Sequence, residues 1–70
     1  MPYVAIKCLP KDEETKKKTA EAINQVLLDV WGAEQQYIGI SIEEASPEEM
    51  GEVFAANMDK MLMVAGELKQ

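Results

Sequence analysis

The sequence of 70 residues contains no histidine and no arginine, and its one cysteine is Cys8. A single cysteine cannot form a disulfide within the chain. Together with the missing histidine, it excludes a conventional zinc site built from Cys and His ligands. The only serines are Ser41 and Ser46, so the chain cannot assemble a Ser-His-Asp or Cys-His catalytic unit. We therefore expect no metal site.

Long apolar runs and clustered glycines are missing as well. No stretch approaches the roughly 18 apolar residues that indicate a membrane span, and the first residues lack the charged and apolar regions of a signal peptide. The four glycines are scattered, which excludes a glycine-rich phosphate loop. We therefore expect no membrane partner and a cytoplasmic location, which a free cysteine also favours.

The charge balance excludes another class of function. Thirteen acidic and seven basic residues give a net charge of −6. Nucleic-acid binding depends mostly on neutralising phosphates with basic side chains. We therefore expect no nucleic-acid partner.

The length predicts one domain over residues 1–70, and it also predicts oligomerisation. A chain this short buries only about 60% of its unfolded surface and is marginally stable alone. It has no disulfide or metal to compensate, yet 47% of its residues are hydrophobic. Small domains of this kind often depend on subunit contacts. We expect a homo-oligomer, either a dimer or a hexamer.

The first half of the chain predicts a strand followed by a helix. Residues 3–9 are rich in β-branched and apolar side chains on both faces of a strand, and Pro10 ends the run. Asp12 is a candidate helix N-cap. Apolar residues then recur at three- and four-residue spacing as far as Trp31, and Gly32 is a candidate helix stop.

The second half repeats this order. Residues 37–43 predict a second strand, and Gly39 within it leaves room for a close approach by another group. Ser46 and Pro47, with Glu49 three residues after Ser46, are typical of a capped helix start. The apolar stripe that follows predicts a helix to about Gly66, with residues 67–70 as a tail.

The resulting order is strand, helix, strand, helix, which indicates the α/β class. A strand, crossover helix and strand form a right-handed parallel pair. We therefore predict a βαβα unit with a two-stranded parallel sheet. An isolated two-stranded sheet leaves open edges, so we expect dimerisation to complete a four-stranded sheet with four helices on one face.

The amino terminus is the candidate catalytic element. Initiator Met1 is normally removed before a small residue, and Pro2 would then carry a free secondary amine at the start of the first strand. A terminus held in place in this way can act as a positioned base, whereas an ordinary terminus is mobile. Two alternatives remain: Pro2 could serve processing alone, or Met1 could be retained, which would leave the Pro2 nitrogen as an amide.

These features together resemble the tautomerase superfamily, in particular its short 4-oxalocrotonate tautomerase-like members. The resemblance is carried by Met1-Pro2, the strand through residues 3–10, the acidic helix start at residues 12–14 and the second strand at residues 38–42. The run at residues 6–10 and Ser46-Pro47-Glu48 resemble the phenylenolpyruvate tautomerase-like branch. The resemblance implies keto–enol tautomerisation of a small 2-oxo acid without a cofactor, with Pro2 as general base and then acid.

The resemblance also implies a set of substrate-binding residues. Lys11 falls where many members have a substrate-binding arginine, and Gly39 aligns with a second arginine that is missing here. Met50 or Phe54 falls near an aromatic wall on the second helix. Because lysine lacks the bidentate fork of arginine, the implied substrate is a mono-acid with an aromatic or apolar tail. Lys7 is a further candidate cation.

Two other functions stay open. The absent arginines and the methionine-rich second helix are also consistent with a non-catalytic dimerisation or partner-binding module. Within the same superfamily, Pro2 could instead activate water for hydration or dehalogenation of an unsaturated acid.

Overall fold

A computed structural model describes residues 1–69 of the protein. Its elements are listed in chain order: strand β1 (Tyr3–Cys8), helix α1 (Glu13–Trp31), a 3-10 turn (Gln35–Tyr37), strand β2 (Gly39–Glu44), helix α2 (Pro47–Asn57), a second 3-10 turn (Met58–Lys60), and the short strands β3 (Met63–Val64) and β4 (Glu67–Leu68). The predicted βαβα order is therefore confirmed. None of the helices in these 69 residues is long and apolar enough to cross a membrane.

Strands β1 and β2 form the predicted two-stranded parallel sheet. Their register runs from Tyr3 opposite Gly39 to Cys8 opposite Glu44. Backbone hydrogen bonds continue the ladder at both ends: Gly39 N–H donates to the Pro2 carbonyl at 3.1 Å, and Ala45 N–H donates to the Cys8 carbonyl at 2.8 Å. Pro2 is thus held as a direct extension of β1.

Local capping defines both ends of α1, as the sequence predicts. The Asp12 carboxylate accepts hydrogen bonds from Thr15 N–H at 3.0 Å and from the Thr15 hydroxyl at 2.7 Å. The same two hydrogen bonds lower the pKa of Asp12. Gly32 ends the helix in the left-handed region at φ 66°, where a residue without Cβ meets little steric cost.

The two helices lie on opposite faces of the sheet, so the expectation of helices on one face only is wrong. Helix α1 covers the face that carries Ile6, Cys8 and Ile42. Helix α2 lies beside Ala5 and Lys7, which point to the other face. The physical reason is that β1 carries apolar groups on both faces, and each face needs its own cover.

Strand β2 begins at Gly39, two residues later than predicted. Tyr37 lies in the 3-10 turn, where its N–H donates to the Glu34 carbonyl at 3.0 Å. The side-chain amides of Gln35 and Asn24 exchange two hydrogen bonds, at 2.9 and 3.1 Å, which hold the turn against α1. Tyr37 is therefore withdrawn from the sheet although its residue type favours a strand.

Helix α2 ends at Asn57, and the prediction that it continues to Gly66 is wrong. Strands β3 and β4 pair antiparallel instead. Ala65 and Gly66 have φ of 53° and 80°, which is the backbone of a two-residue hairpin turn. The apolar run before the turn fits a strand as well as a helix, because a short run has no decisive period.

The described chain encloses no hydrophobic core by itself. Within residues 1–69 no side chain of the usual core types is fully buried, and large apolar residues are exposed on several surfaces. Pro2 alone among these residues falls in the buried class. The fold therefore places its most protected position at the amino-terminal end of β1.

Candidate active site

The site begins with Pro2, which immediately precedes β1. Its carbonyl accepts the Gly39 N–H hydrogen bond at 3.1 Å, and the residue is buried. Met1 precedes it in the chain and is exposed. While Met1 is attached, the Pro2 nitrogen is an amide. Removal of Met1 would place a secondary amine at a position whose backbone is already held by β2.

The space beside Gly39 is occupied by Tyr3. The two residues are opposite each other in the parallel register, and a Cβ added to Gly39 would lie 3.4 Å from Cδ1 of the Tyr3 ring. The ring reaches along β2, where the Tyr3 hydroxyl and the Ser41 hydroxyl are 2.7 Å apart. The close approach that Gly39 permits is thus made by Tyr3. A long side chain at position 39 would displace this ring.

Met50 and Phe54, the candidates for an apolar wall, line one groove together. The groove measures about 350 Å³ and also includes Ala5, Lys7, Val53 and Asn57. The two candidates lie four residues apart on α2, so both project towards β1. The structure therefore brings both predicted wall residues together with a lysine from the strand.

Lys7 supplies the positive charge of this groove. Its ammonium lies 3.6 Å from the Glu43 carboxylate, with the two side chains 51% and 67% exposed. A contact of this length between exposed groups is a weak ion pair. Nearby, the pKa of Glu49 is lowered mainly by hydrogen bonds from Ser46, with a smaller contribution from the charge of Lys7. Lys7 is thus a loosely paired cation bordered by apolar side chains.

Lys11 lies elsewhere in the subunit. It lines a cavity of about 180 Å³ under α1, together with Cys8 and Thr15. Strand β1 has six residues, and at about 3.3 Å per residue it separates Lys11 from Pro2 by about 20 Å. One small substrate therefore cannot contact Pro2 and Lys11 of the same subunit.

The loop that carries Lys11 is held by Glu44. The Glu44 carboxylate accepts hydrogen bonds from Lys11 N–H at 3.0 Å and from the Lys16 ammonium at 3.3 Å. Lys16 also pairs with Glu13 at 2.9 Å. These contacts lower the pKa of Glu44 and raise that of Lys16. Glu44 is therefore a structural acid that joins the end of β2 to the start of α1.

The Tyr3–Ser41 hydroxyl pair is a feature that the sequence alone did not single out. Both residues occupy odd positions in their strands and therefore face the same side of the sheet as α2. The parallel register places Ser41 next to Ala5 and two residues from the partner of Tyr3. Only knowledge of this register would have predicted the pair.

Comparison with known proteins assigns the chain to a family. The family model described as Tautomerase enzyme matches residues 2–56, a span that begins at Pro2 and ends within α2. No curated protein matched the chain. The match supports a function within the tautomerase superfamily. Because the matched region covers β1, α1, β2 and most of α2, the chain belongs to the tautomerase family.

Proposed function

We propose that the protein is a cofactor-independent keto–enol tautomerase for small 2-oxo acids, with the amine of Pro2 as its general base and acid after Met1 is removed. The observation that carries this proposal is the burial of Pro2 at the start of β1 in a chain that buries nothing else among residues 1–69. An amine fixed in such a place loses little freedom when it meets a substrate.

The chemistry requires only one nitrogen. In the keto-to-enol direction, the neutral amine takes a proton from the carbon next to the carbonyl, and the resulting ammonium returns that proton to the carbonyl oxygen. A free α-amine has a pKa of about 7.7–8.0, and burial disfavours its charged form. Burial therefore favours the neutral form of the amine, which is the form that a general base requires.

The substrate class follows from the available charges. The chain has no arginine, so a bidentate clamp on a carboxylate is impossible. The groove next to Lys7 combines one cation with the apolar side chains of Met50, Val53 and Phe54. This combination favours a monocarboxylate with an aromatic or apolar tail.

The active form in this proposal is a homodimer, because a single subunit encloses no apolar core. The two open edges of the sheet differ in character. Next to β2, α1 presents Glu13, Glu14 and Lys17. Next to β1, α1 presents Thr15 and Thr19.

The β1 side of α1 continues towards its end with Val26 and Val30, which follow Thr19 at helical spacing. These valines are 55% and 79% exposed. An apolar helix flank beside an unpaired strand favours association through that strand. Two β1 strands would then pair and complete a four-stranded sheet in the order β2–β1–β1–β2.

The test is the ketonisation of phenylenolpyruvate, followed by absorbance, with intact mass measured to establish that Met1 is absent. We expect Pro2→Ala to abolish turnover, and we expect an amino-terminal extension, which keeps the nitrogen as an amide, to do the same. Pro47→Ala is the matched control, since Pro47 lies at the start of α2, and it should retain turnover. Near-native turnover of Pro2→Ala would contradict the proposal. Absence of turnover in native protein without Met1 would favour the non-catalytic module.

A further inference from the structure

The main chain holds the amino-terminal end of β1 only lightly. The Pro2 carbonyl accepts a hydrogen bond from Gly39 N–H at 3.1 Å, and at the other end of the strand the Cys8 carbonyl accepts one from Ala45 N–H at 2.8 Å. Main-chain groups alternate in direction along a strand, so even-numbered residues of β1 bond to β2 and the N–H and C=O groups of Tyr3 point to the open edge. Within residues 1–69, the Gly39 bond is therefore the main-chain hydrogen bond that joins Pro2 to β2.

The side chain of Tyr3 supplies a second connection at this end. The Tyr3 and Ser41 hydroxyls are 2.7 Å apart, which is a hydrogen-bonding distance. Ser41 lies two residues beyond Gly39, the register partner of Tyr3, so the tyrosine side chain crosses diagonally from β1 to β2. Its ring passes close to Gly39, where an added Cβ would lie 3.4 Å from Cδ1. The residue next to Pro2 is thus tied to β2 by its side chain, although its main chain points away.

Packing within the subunit does little to hold the Tyr3 ring in this conformation. The residue is 70% exposed, and exposed side chains ordinarily change rotamer within nanoseconds. The hydrogen bond to Ser41 favours the one rotamer that bridges the strands. Ends of strands open locally at a small cost in free energy, so a single hydrogen bond of ordinary strength changes the population of the closed end.

We infer that the Tyr3–Ser41 hydroxyl pair positions the Pro2 amine for proton transfer by holding the end of β1 against β2. The inference rests on the proposed function, and it makes Tyr3 a positioning residue that acts through Pro2. Once Met1 is removed, Pro2 is the first residue and no preceding peptide restrains it. Proton transfer requires the reacting atoms to approach within about 3–3.5 Å in the right orientation. A looser strand end therefore lowers the fraction of molecules in which the amine is aligned.

The first test compares hydroxyl variants in the phenylenolpyruvate assay, with the fold of each variant checked by circular dichroism. Tyr3→Phe keeps the ring and removes one hydroxyl, so kcat should fall by about 3- to 10-fold, the factor that corresponds to one ordinary hydrogen bond, while KM stays near native. Ser41→Ala should lose as much, and the double variant should lose no more, because all three lack the same bond. Ser41→Thr keeps a hydroxyl and should retain kcat. Tyr37→Phe is the matched control, since Tyr37 lies in the 3-10 turn outside the sheet.

The second test, amide hydrogen exchange followed by NMR, does not depend on enzymatic activity. Gly39 N–H reports opening at the Pro2 end of the sheet, and Ala45 N–H reports the opposite end. Exchange of a protected amide follows the local opening equilibrium. Tyr3→Phe should therefore raise the exchange rate of Gly39 N–H by about 3- to 10-fold and leave that of Ala45 N–H near native. Equal acceleration at both amides would indicate general destabilisation and overturn the inference, as would an unchanged rate at Gly39.

The outcomes separate this inference from the proposed function. Near-native kcat of Tyr3→Phe beside an inactive Pro2→Ala would refute the role of the hydroxyl pair alone. A raised KM at unchanged kcat would also overturn it, because Tyr3 would then bind the substrate and not position the amine. Turnover by Pro2→Ala would refute the proposed function, whatever the exchange rates at Gly39 and Ala45.

Discussion

Val30 offers the sharpest test of the proposed dimer. Its side chain is 79% exposed in the single subunit, so almost all of its apolar area is available for burial by a second copy. Val30→Ala removes two methyl groups, worth about 0.8 kcal/mol each when buried. A two-fold symmetric dimer contains Val30 twice, so the loss counts twice. Scaled by the 79% of the side chain that is exposed in the single subunit, it lowers the free energy of dimerisation by about 2.5 kcal/mol. The dimer Kd should therefore rise by roughly 70-fold.

Sedimentation equilibrium over a dilution series would measure this Kd. Leu62→Ala is the matched control, because Leu62 is 80% exposed but lies in the segment before β3 and not on α1. Its Kd should stay near the native value. The reasoning would be refuted if Val30→Ala dimerised like the native protein while Leu62→Ala dissociated, since the interface would then involve the carboxy-terminal hairpin.

Two predictions concern the stability of the subunit. Ser46→Ala removes the capping box at α2, in which the Ser46 hydroxyl accepts a hydrogen bond from Glu49 N–H at 3.1 Å and the Glu49 carboxylate accepts one from Ser46 N–H at 3.0 Å. We expect the free energy of unfolding, measured in urea, to fall by about 1 kcal/mol. An unchanged unfolding midpoint would contradict this prediction. Acid should also destabilise the fold, because the pKa values of Asp12, Glu44 and Glu49 are lowered from 3.8, 4.5 and 4.5. A carboxyl group whose pKa is lowered by folding stabilises the fold fully above its unfolded pKa, and this stabilisation is lost as pH falls through the lower folded pKa. Urea titrations between about pH 6 and pH 3 should show this decline, with a smaller slope in Glu44→Gln; a flat profile would argue against it.

The local signals of the sequence were sufficient for the starts of both helices and for the end of α1. Asp12, Gly32 and Ser46 act through hydrogen bonds and backbone angles within a few residues of themselves, so their roles do not depend on distant partners. The end of α2 was missed for the opposite reason. The residues after Asn57 form a hairpin with a turn at Ala65 and Gly66, and a short apolar run fits either a helix or a strand.

The residues of the candidate site also include some that the sequence points to and some that only the structure distinguishes. Pro2 could be singled out from its position in the chain, and Met50 or Phe54 from the family resemblance, which places one of them near an aromatic wall. The choice between Lys7 and Lys11 could not be made from the sequence, because the two lie close together in the chain, one within the first strand and the other just after it. The structure distinguishes them, because Lys7 in β1 lies beside α2 and Lys11 in the following loop lies under α1.

The sequence by itself determined the α/β class, the βαβα order, the capped helices and the candidate base at the amino terminus. These depend on residue type, period and neighbours in the chain. The tertiary structure alone decided that the helices lie on opposite faces, that Tyr3 covers Gly39 and that Lys7 lies in the groove of α2. These depend on strand register and on which face each element covers. The register of β1 and β2 and the position of α2 are set by contacts between residues more than thirty positions apart.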